Sequence, residues 1–304
     1  MGGRSWIWAA MAVLGLALTG CGDSNVFEGA SSDGSGSEAK VEAGRRALDE
    51  RRWDDAIDVF GGLYEADHPD ADVAKYLASA YVGKAGFDAL TLLKEVAEAQ
   101  KADSGDAESI LYDSITRLFD VDGSGTITTD DLVGSEGKLV LLTKAIGYLL
   151  PGYGAVAPRV AAASAEWTPT KDQTFQGGLY AAVHAVLSVV AQLEYPRGSG
   201  TLLLTLDELQ AHAADVIPDL VAPTTLDGDL ALVDAAMRVL IDGVTGSVEG
   251  LDDNDIAPEF DKFLTEIGYL GDDTPQHVTD QELRDYLSQL LDSLGGSSAG
   301  EELP

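Results

Sequence analysis

The chain has 304 residues, 45% of them hydrophobic, which is enough for one or two buried cores. Its 52 acidic and 19 basic residues give a formal charge of -33 and a pI near 4.1. That balance argues against nucleic-acid binding, which needs basic patches to displace counterions; it suits a well-hydrated acidic surface and the binding of cations.

The first twenty residues differ in kind from the rest. Arg4 precedes an uncharged apolar run over 6–18, which ends in Leu18-Thr19-Gly20-Cys21 and the polar Gly22-Asp23-Ser24. The run is shorter than the ~20 residues that a spanning helix requires. This arrangement resembles a bacterial lipoprotein signal peptide (1–20) with its lipobox, and Cys21 is the single cysteine of the chain. The resemblance implies export, cleavage before Cys21 and attachment of a diacylglyceryl group to its sulfur. It places the mature protein on the cell envelope, with the outer membrane favoured over the inner by Gly22 where two membranes exist. With no second cysteine there is no internal disulfide.

Residues 21–37, rich in Gly and Ser, read as a flexible tether. From 38 to 104 the pattern becomes helical, in pairs. One helix carries Val41, Gly44, Ala47 and Leu48, and a second Trp53, Ala56, Ile57 and Phe60. After Pro69-Asp70 a third carries Ala74, Leu77, Ala78 and Tyr81, and a fourth Phe87, Leu90, Leu93 and Val96. Small residues at Gly44, Ala56, Ala78 and Ala89 let neighbouring helices approach closely, and aromatics fill the gaps. Gly44, Trp53, Ala56, Phe60 and Pro69, then Leu77, Ala78, Tyr81, Phe87 and Ala89, resemble two tetratricopeptide repeats. The resemblance implies a concave face that binds a segment of another protein; two helical hairpins in an ordinary bundle are the alternative.

The segment 105–134 carries the most specific pattern. A helix over 106–119 with an apolar face leads into Asp120-Val121-Asp122-Gly123-Ser124-Gly125-Thr126-Ile127-Thr128-Thr129-Asp130-Asp131. Oxygen-bearing side chains stand at positions 1, 3, 5, 9 and 12, glycine at 6 and isoleucine at 8, as a twelve-residue calcium loop requires. The loop resembles that of an EF-hand. The resemblance implies Asp120, Asp122 and Ser124 as side-chain ligands, Thr126 through its carbonyl, Thr128 directly or through water, and Asp131 as the closing ligand. Asp131 is one methylene shorter than the usual glutamate, so calcium is held more weakly and magnesium competes better. Gly134 follows almost at once, so the outgoing helix is short. The register of 271–282 matches a partner loop at Val278, Glu282 and Leu283, but Gly271 and Pro275 break any ligand set, and the stretch reads instead as a capped helix start.

Residues 135–294 read as a helical domain, with apolar helices at 138–150, 155–165 and 175–193. Further helices follow at 205–216, 230–241, 260–270 and 279–294, two of them opened by the capping boxes Thr205-Leu206-Asp207-Glu208 and Thr279-Asp280-Gln281-Glu282. His184 on an apolar helix reads as a hydrogen-bonded core histidine. Residues 295–304 read as a disordered acidic tail. Strand signals are scarce, so the fold class is all-α: helical hairpins followed by an α-helical bundle. No phosphate loop, nucleophile elbow or zinc-protease motif is present, and the four histidines lack metal spacing. The expectation is therefore a calcium-stabilised, membrane-tethered scaffold for protein interaction or envelope assembly, without enzymatic activity. The alternative is a solute-binding lipoprotein with a pocket between the apolar helices of 138–193.

Overall fold

In the computed structural model, which describes residues 36–64, 70–87, 128–150, 153, 169–203, 206–244, 262–269 and 277–295, several helices begin where a side chain replaces a missing backbone partner. The first three are α1 (Ser37–Asp49), α2 (Trp53–Gly61) and α3 (Ala71–Lys84). Asp70 caps α3 by accepting from the N–H groups of Asp72 at 2.8 Å and Val73 at 3.0 Å. There follow α4 (Thr129–Val133), α5 (Lys138–Leu149) and α6 (Lys171–Val190), then α7 (Leu206–Val216) with a 3-10 turn over Ile217–Asp219. The last two are α8 (Leu226–Val244) and α9 (Asp280–Gly295), with a helical turn at 262–266 between them. The fold is all-α, with helix over 72% of the described residues and no strand among them beyond two isolated bridges. Among the described residues no helix is long and apolar enough to cross a membrane.

Two helices start earlier than their apolar periodicity suggests. Helix α6 opens at Lys171 rather than 175, because Thr170 and Gln173 form a capping box: Thr170 N–H donates to Gln173 Oε1 and Gln173 N–H to Thr170 Oγ1. Helix α8 opens at Leu226 rather than 230. Asp227-Gly228-Asp229 is its first turn and not a loop, and carboxylates there face the positive end of the helix dipole.

Small residues set how closely the helices pack. A Cβ added at Gly44 of α1 would lie 2.5 Å from the Phe60 ring of α2, and one at Gly83 of α3 would lie 2.6 Å from the Trp53 indole. Phe60 stacks on Tyr76 of α3 at 5.1 Å. Ala47, Ala56, Phe60, Leu77 and Ala80 form one core, against which Tyr148 of α5 packs. The opposite face of α3, with Ala78 and Val82, joins a larger core made with Leu141, Leu142, Ile146 and Leu149 of α5 and Ala181 and Leu187 of α6. Helix α3 thus joins α1 and α2 to α5. Helices α6 and α8 form the most extensive pair, and Gly178 makes it possible: a Cβ there would meet Ala236 Cβ at 2.3 Å and the Leu232 carbonyl oxygen at 2.5 Å.

Two further cores lie among the described residues. Leu226 and Leu230 of α8 pack with Leu264, Ile267, Tyr269, Val278, Leu283 and Tyr286, while Leu193, Leu203, Val216 and Leu220 cluster around α7. Lys138 is buried at the start of α5, where its Nζ donates to the Ala85 carbonyl at 2.7 Å and sits 5.3 Å from the Phe87 ring centroid. Ala85 closes α3, so the cation meets the negative end of that helix.

Candidate functional site

Of the sequence-expected metal ligands, Thr128 and Asp131 are among the described residues; Asp120, Asp122, Ser124 and Thr126 lie outside them, as does Cys21. Thr128 is extended and stands immediately before α4, with Asp131 three residues on. One carboxylate oxygen of Asp131, Oδ2, accepts both the N–H of Thr128 at 2.8 Å and its hydroxyl at 2.7 Å. Asp131 is buried, and Leu132 beside it is fully so. These contacts cap a helix, and they also fix the carboxylate in one orientation at the end of the loop. Both roles use the same geometry. Asp131 has a further interaction besides these. Helix α4 is only five residues long and is terminated at Gly134, the short outgoing helix that the sequence suggests.

The end of the loop is tied to a distant part of the chain. Thr128 forms an antiparallel bridge with Thr201, and the N–H of Thr129 donates to the carbonyl of Gly200 at 2.9 Å. Residues 193–203 fold back on themselves between α6 and α7. Tyr195 N–H donates to Thr201 O at 3.0 Å, Leu203 N–H donates to Leu193 O at 2.9 Å, and Glu194 bridges to Leu202. The turn uses a cis Tyr195–Pro196 bond and glycines at φ +77° (Gly198) and +78° (Gly200), a left-handed conformation that costs glycine little. Glu194 Oε1 accepts the N–H of Gly200, and Tyr195 stacks on His212 of α7 at 3.9 Å.

Sequence reasoning sought a partner for this loop at 271–282 and missed 193–203. A signal was present: Gly198-Ser199-Gly200-Thr201-Leu202 repeats the order Gly123-Ser124-Gly125-Thr126-Ile127, an apolar residue closing each run. The second run lacks the acidic positions, with Tyr195 and Arg197 standing where Asp120 and Asp122 stand in the first. The described part of 271–282 behaves as a capped helix start. Thr279 N–H and hydroxyl donate to Glu282 Oε2 at 2.8 and 2.7 Å, and Glu282 N–H donates back to Thr279 Oγ1 at 3.3 Å. These bonds hold the Glu282 carboxyl below its ordinary pKa. Just ahead, His277 pairs with Asp227 at 2.5 Å, which raises its pKa, and Asp227 also accepts the N–H of Val278 at 2.8 Å.

His184 is a hydrogen-bonded core residue, as its apolar setting suggests. Its Nδ1 lies 2.8 Å from Asp229 Oδ2 and 3.2 Å from the Tyr153 hydroxyl, and its Nε2 lies 3.0 Å from Thr143 Oγ1. Tyr153 also donates to Asp229 Oδ1. Burial, and then the Asp229 charge, push the Tyr153 phenol well above its ordinary range. Hydroxyl, imidazole and carboxylate follow here in the order of a nucleophilic relay. Thr143, however, donates to the Leu139 carbonyl at 2.7 Å in the middle of α5, where the surrounding N–H groups belong to the helix ladder. Among the described residues no pair of free donors faces its oxygen to hold an oxyanion.

Among the described residues no three His, Cys, Asp or Glu side chains converge on a metal position. An open groove of about 480 Å³ runs between α7 with its 3-10 turn and α9, lined by Ala213, Ile217, Pro218, Arg284, Ser288 and Leu291. It lies away from the apolar helices of 138–193, where Leu142, Ala145, Ile146 and Leu187 fill the space between α5 and α6. No protein-family model, curated protein or solved structure matches this chain.

Proposed function

We propose that the chain is an exported, lipid-tethered helical scaffold whose fold is braced by one calcium ion in the loop 120–131. The observation that carries the reading is the anchored end of that loop. Thr128 and Asp131 are held against each other, and Thr128-Thr129 are hydrogen-bonded to 200–201 at the root of α6 and α7. An ion bound in such a loop ties the segment before it to the helices behind it. Calcium in extracytoplasmic modules binds at about 10⁻⁴ to 10⁻³ M, and external calcium reaches that range, so the site acts as a structural pin rather than a sensor. When bound, the ion supplies positive charge among Asp120, Asp122 and Asp131 in a chain of charge -33.

Lipidation at Cys21 and a protein partner at the repeat-like face of α1 and α3 complete the proposal. Arg45 of α1 lies 5.9 Å from the Tyr76 ring centroid of α3 on these elements. The close packing between α5 and α6 favours the scaffold over a solute pocket between them. Two measurements on the full chain test the reading. Metabolic labelling with a radioactive fatty acid should mark the wild type and leave Cys21→Ser unlabelled; equal labelling of both removes the anchor. Calcium titration by calorimetry should give one binding event in the wild type that is absent in Asp120→Ala; an identical isotherm for both removes the ion from the loop.

A further inference from the structure

Helices α7 and α9 meet where Leu287 of α9 packs against the core that holds Val216 and Leu220. Beside that contact they part, and the open groove between them holds about 480 Å³. Ala213, Ile217 and Pro218 line it on one side, Ser288 and Leu291 on the other. Leu291 is half-buried and belongs to none of the apolar cores among the described residues. A cleft of this size takes a few side chains of a partner or a small ligand.

Several polar groups of the lining are engaged within the protein. Ser288 Oγ donates to the Arg284 carbonyl, Arg284 Nε to the Leu220 carbonyl and Gln281 Nε2 to Asp285 Oδ1, each at 2.8 Å. The groove therefore offers a partner apolar surface and, around it, negative charge. Asp285 and Asp292 line it and are exposed. The groove also lies at the negative ends of two helices: Ala213 and Ala214 stand in the last turn of α7, and Asp292 in the last turn of α9. Neither last turn carries a basic residue to offset its dipole. Among the described residues Arg284 is the one cation of the lining, against two carboxylates and two helix ends.

We propose that the groove between α7 and α9 is a docking site for a short cationic, amphipathic helix of another protein. Its apolar side chains enter between Ile217, Pro218 and Leu291, and its Lys or Arg residues lie against Asp285, Asp292 and the two helix ends. The lining of α9 runs from Gln281 to Asp292, roughly 17 Å at a rise of about 1.5 Å per residue, so the matching segment is about three turns long. Charge complementarity selects this occupant. A second copy brings a further charge of -33 to the same surface and is repelled. The site is separate from the repeat-like face of α1 and α3.

The test is a titration of the full chain, followed by amide NMR, with a three-turn peptide of leucine and lysine at helical spacing. A peptide with serine in place of leucine carries the same charge and reports attraction to the acidic surface alone. The leucine peptide should shift amides of α7, the 3-10 turn and α9, and the serine peptide should not single them out. Leu291→Ser should weaken the leucine peptide about tenfold, and Asp292→Asn about two- to fivefold. Asp58→Asn, which removes the same charge from α2, should leave the affinity unchanged. Equal affinity of wild type and Leu291→Ser overturns the proposal, as do equal affinities of the two peptides or shifts spread over the surface without a focus on α7 and α9. So does a doubled mass of the protein alone with the same amides shifted, which would give the groove to a second copy. Should Leu291→Ser fail to fold, Asp292→Asn, at an exposed position, and the pair of peptides decide.

Discussion

At Asp131, capping and the proposed calcium binding make different demands on one carboxylate. The cap needs only an acceptor for the N–H and O–H of Thr128. Calcium needs the charge. Asp131→Asn keeps an acceptor, so metal-free stability should change by less than about 0.5 kcal/mol while the stabilisation by calcium is largely lost. Thr128→Ala removes the hydroxyl donor to a buried carboxylate and should cost about 1 kcal/mol even without metal. Denaturant unfolding of both variants, with and without chelator, separates the two demands. At the start of α9 two exposed groups titrate with opposite sign. The His277 pKa is raised above 6.5 by Asp227, so its contribution is full below 6.5 and fades as pH rises through the raised value. The Glu282 pKa is depressed below 4.5 by Thr279, so its contribution is full above 4.5 and fades as pH falls through the lowered value. Both therefore act together between 4.5 and 6.5. The stability difference between wild type and His277→Gln should be largest below 6.5 and shrink on the alkaline side; a difference that grows with pH would contradict the pairing with Asp227.

Among the elements, glycine positions decide where helices touch. At Gly178 an added methyl would run into the backbone of α8, which cannot step aside without moving the helix. Gly178→Ala should cost about 1–3 kcal/mol by overpacking. Nothing lies within 4 Å of a Cβ at Gly61, and there the same change should be neutral or stabilising, by up to about 1 kcal/mol. Thermal melting of the two variants makes the comparison, and equal losses would mean that α6 and α8 do not cross at Gly178. Much at this level was legible in the sequence. Gly44, Ala56 and Ala78 announced close approach, and Phe60 fills the space that Gly44 leaves. Asp70 and the Thr279–Glu282 box announced helix starts, because caps are local chemistry. Contacts between distant segments were hardly legible, the repeated Gly-Ser-Gly-Thr order at 123–126 and 198–201 apart. Thr128 pairs with Thr201 through a backbone bridge, and His184 with Asp229 through a side-chain hydrogen bond, across 73 and 45 residues, and hydrophobic periodicity carries no trace of such pairs. Asp229 lies just ahead of the helix start at 230 that apolar periodicity gives, since a carboxylate beside a glycine favours turns in isolation; burial against His184 and Tyr153 decides otherwise.

For the molecule as a whole, α3 and α5 connect the two ends of the described chain. Residues Ala78 and Val82 face the core of α5 and α6, while Leu77 and Ala80 face α1 and α2, so α3 belongs to both. The loop 120–131 lies between them in sequence and is fastened at its end to the hairpin between α6 and α7. In the proposed reading, calcium therefore stabilises the whole fold and not only a local turn. Linkage gives the size: at a free calcium concentration one hundred times Kd, occupancy adds about 2.7 kcal/mol. For a chain of this length that corresponds to a rise in melting temperature of about 5–10 °C at ~2–4 °C per kcal/mol. The most direct measurement is the melting temperature of the protein from Cys21 onward, unlipidated as Cys21→Ser, with millimolar calcium and with excess chelator, compared with Asp120→Ala. The account predicts a rise with calcium in the first protein and none in the second; the same melting temperature with and without calcium in the first would contradict it.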